Sequence, residues 1–571
     1  MQRLLTTVGG LLVLGLLALM GRELAQNLGP ALFEPTRQGA DLAAVVSNLS
    51  RVLGVVLSMI VALCSIAVPL TANVYTPKLI EIFVADRTNR VVVAFYVLAN
   101  ALVAWNMYVI EDAGPDGARA RTFLSLGVTM VALVGIGPYI YYILKFLIPR
   151  NIVRNLEREV LEDFATAARS RDDEELAAAR AGALENIKYL GNIVLRSVDR
   201  YDRDTAFEGL RALRAVFDAY ETRKDQLPPG WFDLREAELN AIGPELGREV
   251  ERKRAAIEVA ILLELSLVLP LAIARLPEIV AQVASLTRRF GVRTAERQDV
   301  GAREMVTLFF NTFLRAALQH KSSDAFYKFV YQARRFAEEE LDVDPEHAQK
   351  VAFFLDYYGH QAVRMGMGYL INVVAYDLAS LTDLAYRKES PCRRAVLELL
   401  LQLDRDSDGL LQMPGVMKAQ VILAAKLHTR GEEEPVRAIV AELKKVPPAR
   451  LEEAYAQIVS AHDEHFWEIA DRRRHLDHVE AEFRGAIEQL RAELLGPRAP
   501  GTATQRFLKT PEAAAGRRSI ERHGPALRQR RPTSAVQHEP PPVLGRPPSQ
   551  RLTPPGSSTG EATPPPAEPS S

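Results

Sequence analysis

The sequence predicts an all-α membrane protein: four transmembrane helices, a cytoplasmic helical domain of antiparallel helix pairs, and a disordered C-terminal tail. Three observations predict it. Four uncharged apolar stretches crowd into the first 150 residues, residues 151–495 carry apolar side chains at three- and four-residue spacing, and residues 496–571 hold 16 of the 34 prolines. Chain-wide averages conceal this, because 571 residues at 48% hydrophobic, 25% charged and net charge −1 read like an ordinary soluble protein. That length calls for more than one folded unit. Near-neutral charge argues against a nucleic-acid binder, which needs a concentrated basic face. Cys64 and Cys392 lie too far apart for a disulfide framework or a cysteine zinc site.

The apolar stretches are Leu4 to Gly21, Val52 to Pro77, Val91 to Ile110 and Thr122 to Leu144. A helix rises about 1.5 Å per residue, so roughly 20 apolar residues cross a ~30 Å hydrocarbon core. The first stretch follows Arg3 without a convincing small-residue cleavage site, so it reads as an uncleaved anchor. This divides the chain into an anchor and link (1–50), three further spans (51–150), the helical domain (151–495) and the tail (496–571). Lys78, Arg87 and Arg90 in the second link, and Lys145, Arg150, Arg154 and Arg158 after the last span, place both termini in the cytoplasm of a bacterial inner membrane. Tyr75, Trp105, Tyr108, Tyr139, Tyr141 and Tyr142 are candidates for the aromatic interface belt.

Arg150, Arg154 and Arg158 share one helical face and could hold anionic headgroups, or pair with neighbouring glutamates on a solvated helix. No Asp, Glu, Lys or Arg lies inside the four stretches, which lowers the case for a pump or ion-coupled transporter. Asn100 and Asn106 are the polar candidates for a pore lining; interhelical bonding is the plainer reading. Val259 to Ala274, almost wholly apolar but carrying Glu264 and Pro270, reads as a core helix or a helix resting on the membrane surface.

In the helical domain, breaks fall at Leu227 to Gly230, Gly243-Pro244, His320 to Asp324, Asp342 to Pro345, Asp404 to Gly415 and Val446 to Pro448. Asp404, Asp406, Asp408 and Gly409 match the first half of a calcium loop. Position 12, however, is Gly415 where a bidentate glutamate belongs, so calcium would need a ligand from elsewhere; a plain interhelical turn is the alternative. His462, His465, His475 and His478 form two i, i+3 pairs, either metal-directed or part of a charged solvated helix. No phosphate-cradling loop, dinucleotide fingerprint or nucleophile elbow occurs, so no enzyme and no cofactor are expected.

Several strings carry a family resemblance. They are Leu70 to Leu79 with Asp86-Arg87, Gln226 to Phe232, Phe310 to Thr312, Ala375 to Leu378, Lys418 to Gln420, and Phe466 to Glu468 with Asp471-Arg472. The chain resembles predicted bacterial integral membrane proteins of unknown function, which implies architecture and no mechanism. The expectation is an anchor, scaffold or signalling component, with an oligomeric channel lined by the second and third spans as the alternative. Its expected partners are the lipid bilayer, further copies of the chain and a cytoplasmic protein, with no nucleic acid.

Overall fold

The computed structural model describes residues 39–406, 409–410, 413–462, 464 and 475–496. The Leu4–Gly21 stretch, Asp408, His465 and residues 497–571 lie outside them. Three helices carry the remaining apolar stretches: α1 (Gly39–Val74), α3 (Arg87–Val109) and α4 (Pro115–Phe146), with the short α2 (Lys78–Ala85) between α1 and α3. The three long helices pack on one another, and α2 packs on α1 and α3. Helix α1 runs unbroken across residue 50, because Gly39 to Val74 holds no turn signal strong enough to stop it. Pro69 and Pro138 sit inside α1 and α4, where each removes one backbone donor from the ladder.

The outward side of this bundle is apolar: Val55, Leu98 and Val131 are all more than 60% exposed. In water that would be a severe cost, whereas against lipid tails it costs nothing. The sites of close approach are small or polar. Tyr96 donates its hydroxyl to Ala132 O at 2.8 Å, joining α3 to α4. Of the expected belt, Trp105, Tyr108 and Tyr141 face outward, whereas Tyr139 is buried and Tyr75 and Tyr142 are half-buried. Polar partners inside the bundle claim the hydroxyls of Tyr139 and Tyr142, and Asp202 of the helical domain claims that of Tyr75.

The helical domain follows after a two-residue step. Its helices are α5 (Pro149–Ala167), α6 (Asp173–Asp199), α7 (Arg203–Arg223), α8 (Glu236–Ile242), α9 (Pro244–Arg252), α10 (Ala256–Arg275), α11 (Pro277–Glu296), α12 (Val300–Gln319), α13 (Ser323–Glu340), α14 (Pro345–Arg364), α15 (Leu370–Arg387), α16 (Arg393–Gln402), α17 (Pro414–Thr429), α18 (Glu433–Leu443), α19 (Pro448–Ser460) and α20 (Arg484–Leu495). Neighbours in sequence are neighbours in space: α5–α6–α7, α10–α11–α12–α13–α14 and α15–α17 each stack in turn. Asp172, Asp202, Asp299, Ser322 and Asp344 start their helices by accepting a backbone N–H, the usual reason these residues open a helix.

Helix α10 is long and apolar enough to cross a membrane, but the surroundings decide otherwise. More than half of its apolar window (56%) is buried against the domain, against 22% for each of the three N-terminal spans. It packs on α6, α11 and α12, and Gly191 makes the approach to α6 possible. A Cβ there would clash with the Glu264 side chain. The packing shows the core-helix reading for one side of this segment and leaves Leu267 and Ala274 exposed on the other.

Candidate functional site

The feature with the most chemistry is the junction where the membrane helices meet the domain. The apolar run of α1 ends at Pro77, so Tyr75 and Thr76 sit where a bilayer gives way to water. The Tyr75 hydroxyl donates to Asp202 Oδ2 at 3.3 Å, while Asp202 Oδ1 accepts from Thr205 N at 3.1 Å and caps α7. Two residues after Thr76, Lys78 pairs with Glu81 at 2.8 Å and lies 5.7 Å over the Tyr189 ring of α6. Burial alone would lower the Lys78 ammonium, but Glu81, Glu185 and Glu159 raise it overall. Across from it, burial together with Glu159 and Glu162 pushes the Asp163 carboxyl up to about 7.

A second contact reaches the second turn of α7. Arg150 Nε, four residues after the last span, pairs with Glu208 at 2.7 Å. Thus the residue that follows α1 and the first turn of α5, which follows α4, both reach the first two turns of one helix. Link 75–86 and the start of α5 therefore lie on the same side of the bundle.

Inside the bundle a polar chain ties the same link to the spans. Asp86 Oδ1 caps α3 by accepting from Asn89 N at 2.8 Å and also accepts from Tyr142 at 2.6 Å. Asn89 donates to Phe83 O at 3.0 Å and accepts from the Tyr139 hydroxyl at 2.5 Å, and Cys64 Sγ lies 3.7 Å from that hydroxyl. Near lipid each such group is expensive to leave unpaired, so the chain fixes the register of α1, α3 and α4. Replacing Asp86 with Ala removes a helix cap and a charged acceptor together, an expected loss of about 2–4 kcal/mol. Thermal unfolding of the detergent-solubilised protein should show that loss as a clear fall in Tm.

The sequence-predicted residues fall elsewhere on the molecule. Arg150 is the one basic residue of its trio tied into the junction. Arg154 is exposed, and Arg158 pairs along its own helix with Glu162 at 3.8 Å. Asn106 is buried: it donates to Ser125 Oγ at 3.1 Å and accepts from Arg121 at 3.3 Å, so its amide bonds α3 to α4. Asn100 faces α1, its Nδ2 3.8 Å from where a Cβ on Gly54 would sit. Asp404 is buried at the end of α16, with its carboxyl raised by burial and by Glu442. Asp408 and the Asp406 side chain lie outside the described residues. The backbone there makes a two-residue antiparallel ladder, Arg405–Asp406 with Gly409–Leu410. Gly415, in the place of the twelfth calcium ligand, opens α17 and abuts Asn372, whose Oδ1 accepts from Gly415 N at 3.0 Å. Of the four histidines, His465 lies outside the described residues, and His475 N donates to Glu464 O at 3.1 Å.

Two of the family-like strings converge on a cavity of about 260 Å³ between α13, α15 and α17. Tyr376 and Asp377 line it beside Arg334, whose Nε is 3.1 Å from Asp377. Tyr376 also bonds Asp477, which Lys418 reaches at 2.7 Å. These pairs bridge 59 to 101 residues of sequence, so no local pattern announces them. The same holds at the junction, where Tyr75 and Asp202 stand 127 residues apart.

Residues 2–196 match the family described as "Predicted membrane protein (DUF2254)". The match takes in the spans, the junction link and α5 and α6 up to the Tyr189 contact. No curated protein and no solved structure matches the chain.

Proposed function

We propose that this membrane protein acts as an anchored signalling scaffold of a bacterial inner membrane, its helical domain held at the cytoplasmic face to engage a protein partner. The observation that carries this reading is that α7 is held to the span bundle at two points, directly by Tyr75 to Asp202 and, through the first turn of α5 two residues beyond α4, by Arg150 to Glu208. A domain merely tethered needs only a flexible linker, whereas paired attachments fix its orientation to the spans. The basic residues of link two and of the start of α5 support a cytoplasmic placement. Phe353 and Tyr357, one turn apart on α14 and 51% and 43% exposed, give the domain an aromatic surface of the kind interfaces favour.

Photo-crosslinking in intact cells tests the reading. Probes placed at Phe353 and at Tyr357 should recover one and the same protein, and Asp202→Ala should lower the yield. Reproducible recovery of no protein from probes across residues 151–495 would overturn it.

A further inference from the structure

The turn joining α6 to α7 has an unusual occupant. Tyr201 stands at φ 59°, in the left-handed region where glycine is the cheap residue. Asp202 N donates to Ser197 O at 2.8 Å, the hydrogen bond that closes a helix around such a residue. Four other helices among the described residues end with a non-glycine residue in this conformation, and they use Arg254, Gln298, Lys321 and Glu389. Only here among these five is the position aromatic, and Tyr201 is 63% exposed.

Its surroundings explain the exposure. The next residue, Asp202, holds Tyr75 at the end of α1, so the turn lies at the level where that span leaves the bilayer. Arg200 and Arg203 flank the tyrosine and are exposed, and the Arg275 guanidinium sits 5.6 Å over the Tyr201 ring. Arg275 ends α10, bringing that helix to the same level. On its less covered side α10 carries exposed Leu267 and Ala274, with Leu267 58% exposed, flanked at helical spacing by half-buried Leu263 and Leu271. The acidic neighbours are engaged: Asp199 pairs with Arg275 at 2.7 Å, Glu278 with Arg203 at 3.6 Å, and Asp202 with Tyr75. Asp204 is exposed beside them.

We infer that the α6–α7 turn and the less covered side of α10 rest on the bilayer as a second membrane contact, with Tyr201 at headgroup depth and Arg200 and Arg203 against anionic phospholipid. The surface is continuous with the spans, its aromatic and aliphatic groups suit the acyl boundary, and its arginines suit phosphate. This contact does not depend on which partner the domain engages.

The test uses the full-length chain in lipid nanodiscs, with Cys64 and Cys392 replaced by alanine. An environment-sensitive fluorophore is placed on Tyr201→Cys, on Leu267→Cys, or on Glu453→Cys of α19 as a control. With phosphatidylglycerol present, labels at 201 and 267 should emit to the blue of the control. They should also be quenched at least about two-fold more by lipids spin-labelled near the glycerol. Arg200→Glu with Arg203→Glu should abolish the difference in quenching between anionic and purely zwitterionic discs. Tyr201→Gly relieves the left-handed backbone, so it should stay folded by circular dichroism while quenching at 267 falls. Water-like emission at both sites with no lipid quenching would overturn the contact. Quenching that ignores both lipid charge and the arginine reversal would overturn the phosphate assignment.

Discussion

Lys224→Met should lower the stability of the helical domain by about 3–5 kcal/mol, the range seen when one member of a buried ion pair is removed. The ammonium bonds Glu258 and Asp299, the latter at 2.6 Å, with Lys224 6% and Glu258 0% exposed. Burial would lower the lysine, yet Glu258 and Asp299 raise it well above its usual range, so it stays charged at any ordinary pH. Methionine fills nearly the same volume, so the loss would be electrostatic and not a cavity effect. Thermal unfolding in detergent, followed by circular dichroism, measures it. The double variant with Glu258→Gln should recover a large part of the loss, since the stranded carboxylate is then gone. A single variant as stable as the parent would show that the cluster contributes nothing.

The same cluster sets a pH response. Glu221 is 2% exposed and faces Glu258, Asp299, Lys224 and Arg297, the last at 3.5 Å, so three carboxylates share two cations. Burial first, and then Glu258, push the Glu221 carboxyl up to about 8. A folded-state value above the unfolded one means the folded protein binds the proton more tightly. Its contribution is therefore complete below the ordinary carboxylate range near 4.5 and is lost as pH rises toward about 8. Glu221→Gln holds the site neutral, so it should flatten the decline between pH 5 and about 8.5 and leave the protein more stable at the alkaline end, by a few kcal/mol at most. Parallel Tm profiles for parent and variant would contradict the assignment.

How far the sequence led depends on whether the determining interactions were local. Spans were legible because a run such as Val52 to Pro77 has one physical solution in lipid. The helix breaks at Pro228-Pro229-Gly230, at Gly243 and at Pro447-Pro448 were legible because proline and glycine leave a written mark. The ends at Tyr201, Arg254, Gln298 and Glu389 were not, since ordinary residues occupy the left-handed position and composition gives no warning. The junction was partly visible. Tyr75, Lys78 and Asp86 belong to the string that carries the family resemblance, but Asp202, Tyr189 and Tyr142 are distant in sequence. The basic trio after the last span separated for the same reason: Glu208, which claims Arg150, lies on another helix.

Two grips on one helix have a mechanical meaning. Tyr75 directly follows α1 and Arg150 stands in the first turn of α5, four residues beyond α4, and both hold the opening turns of α7. A tilt of one span that the other does not share cannot leave α7 in place; it must either turn the helix or break a grip. Changes in bilayer thickness tilt spans according to their apolar length, and the uncharged runs of these two differ, at 26 residues from Val52 to Pro77 and 23 from Thr122 to Leu144. Such a difference would act on α7 as torque, a lever whose short arm sits in the lipid and whose long arm is the helical domain.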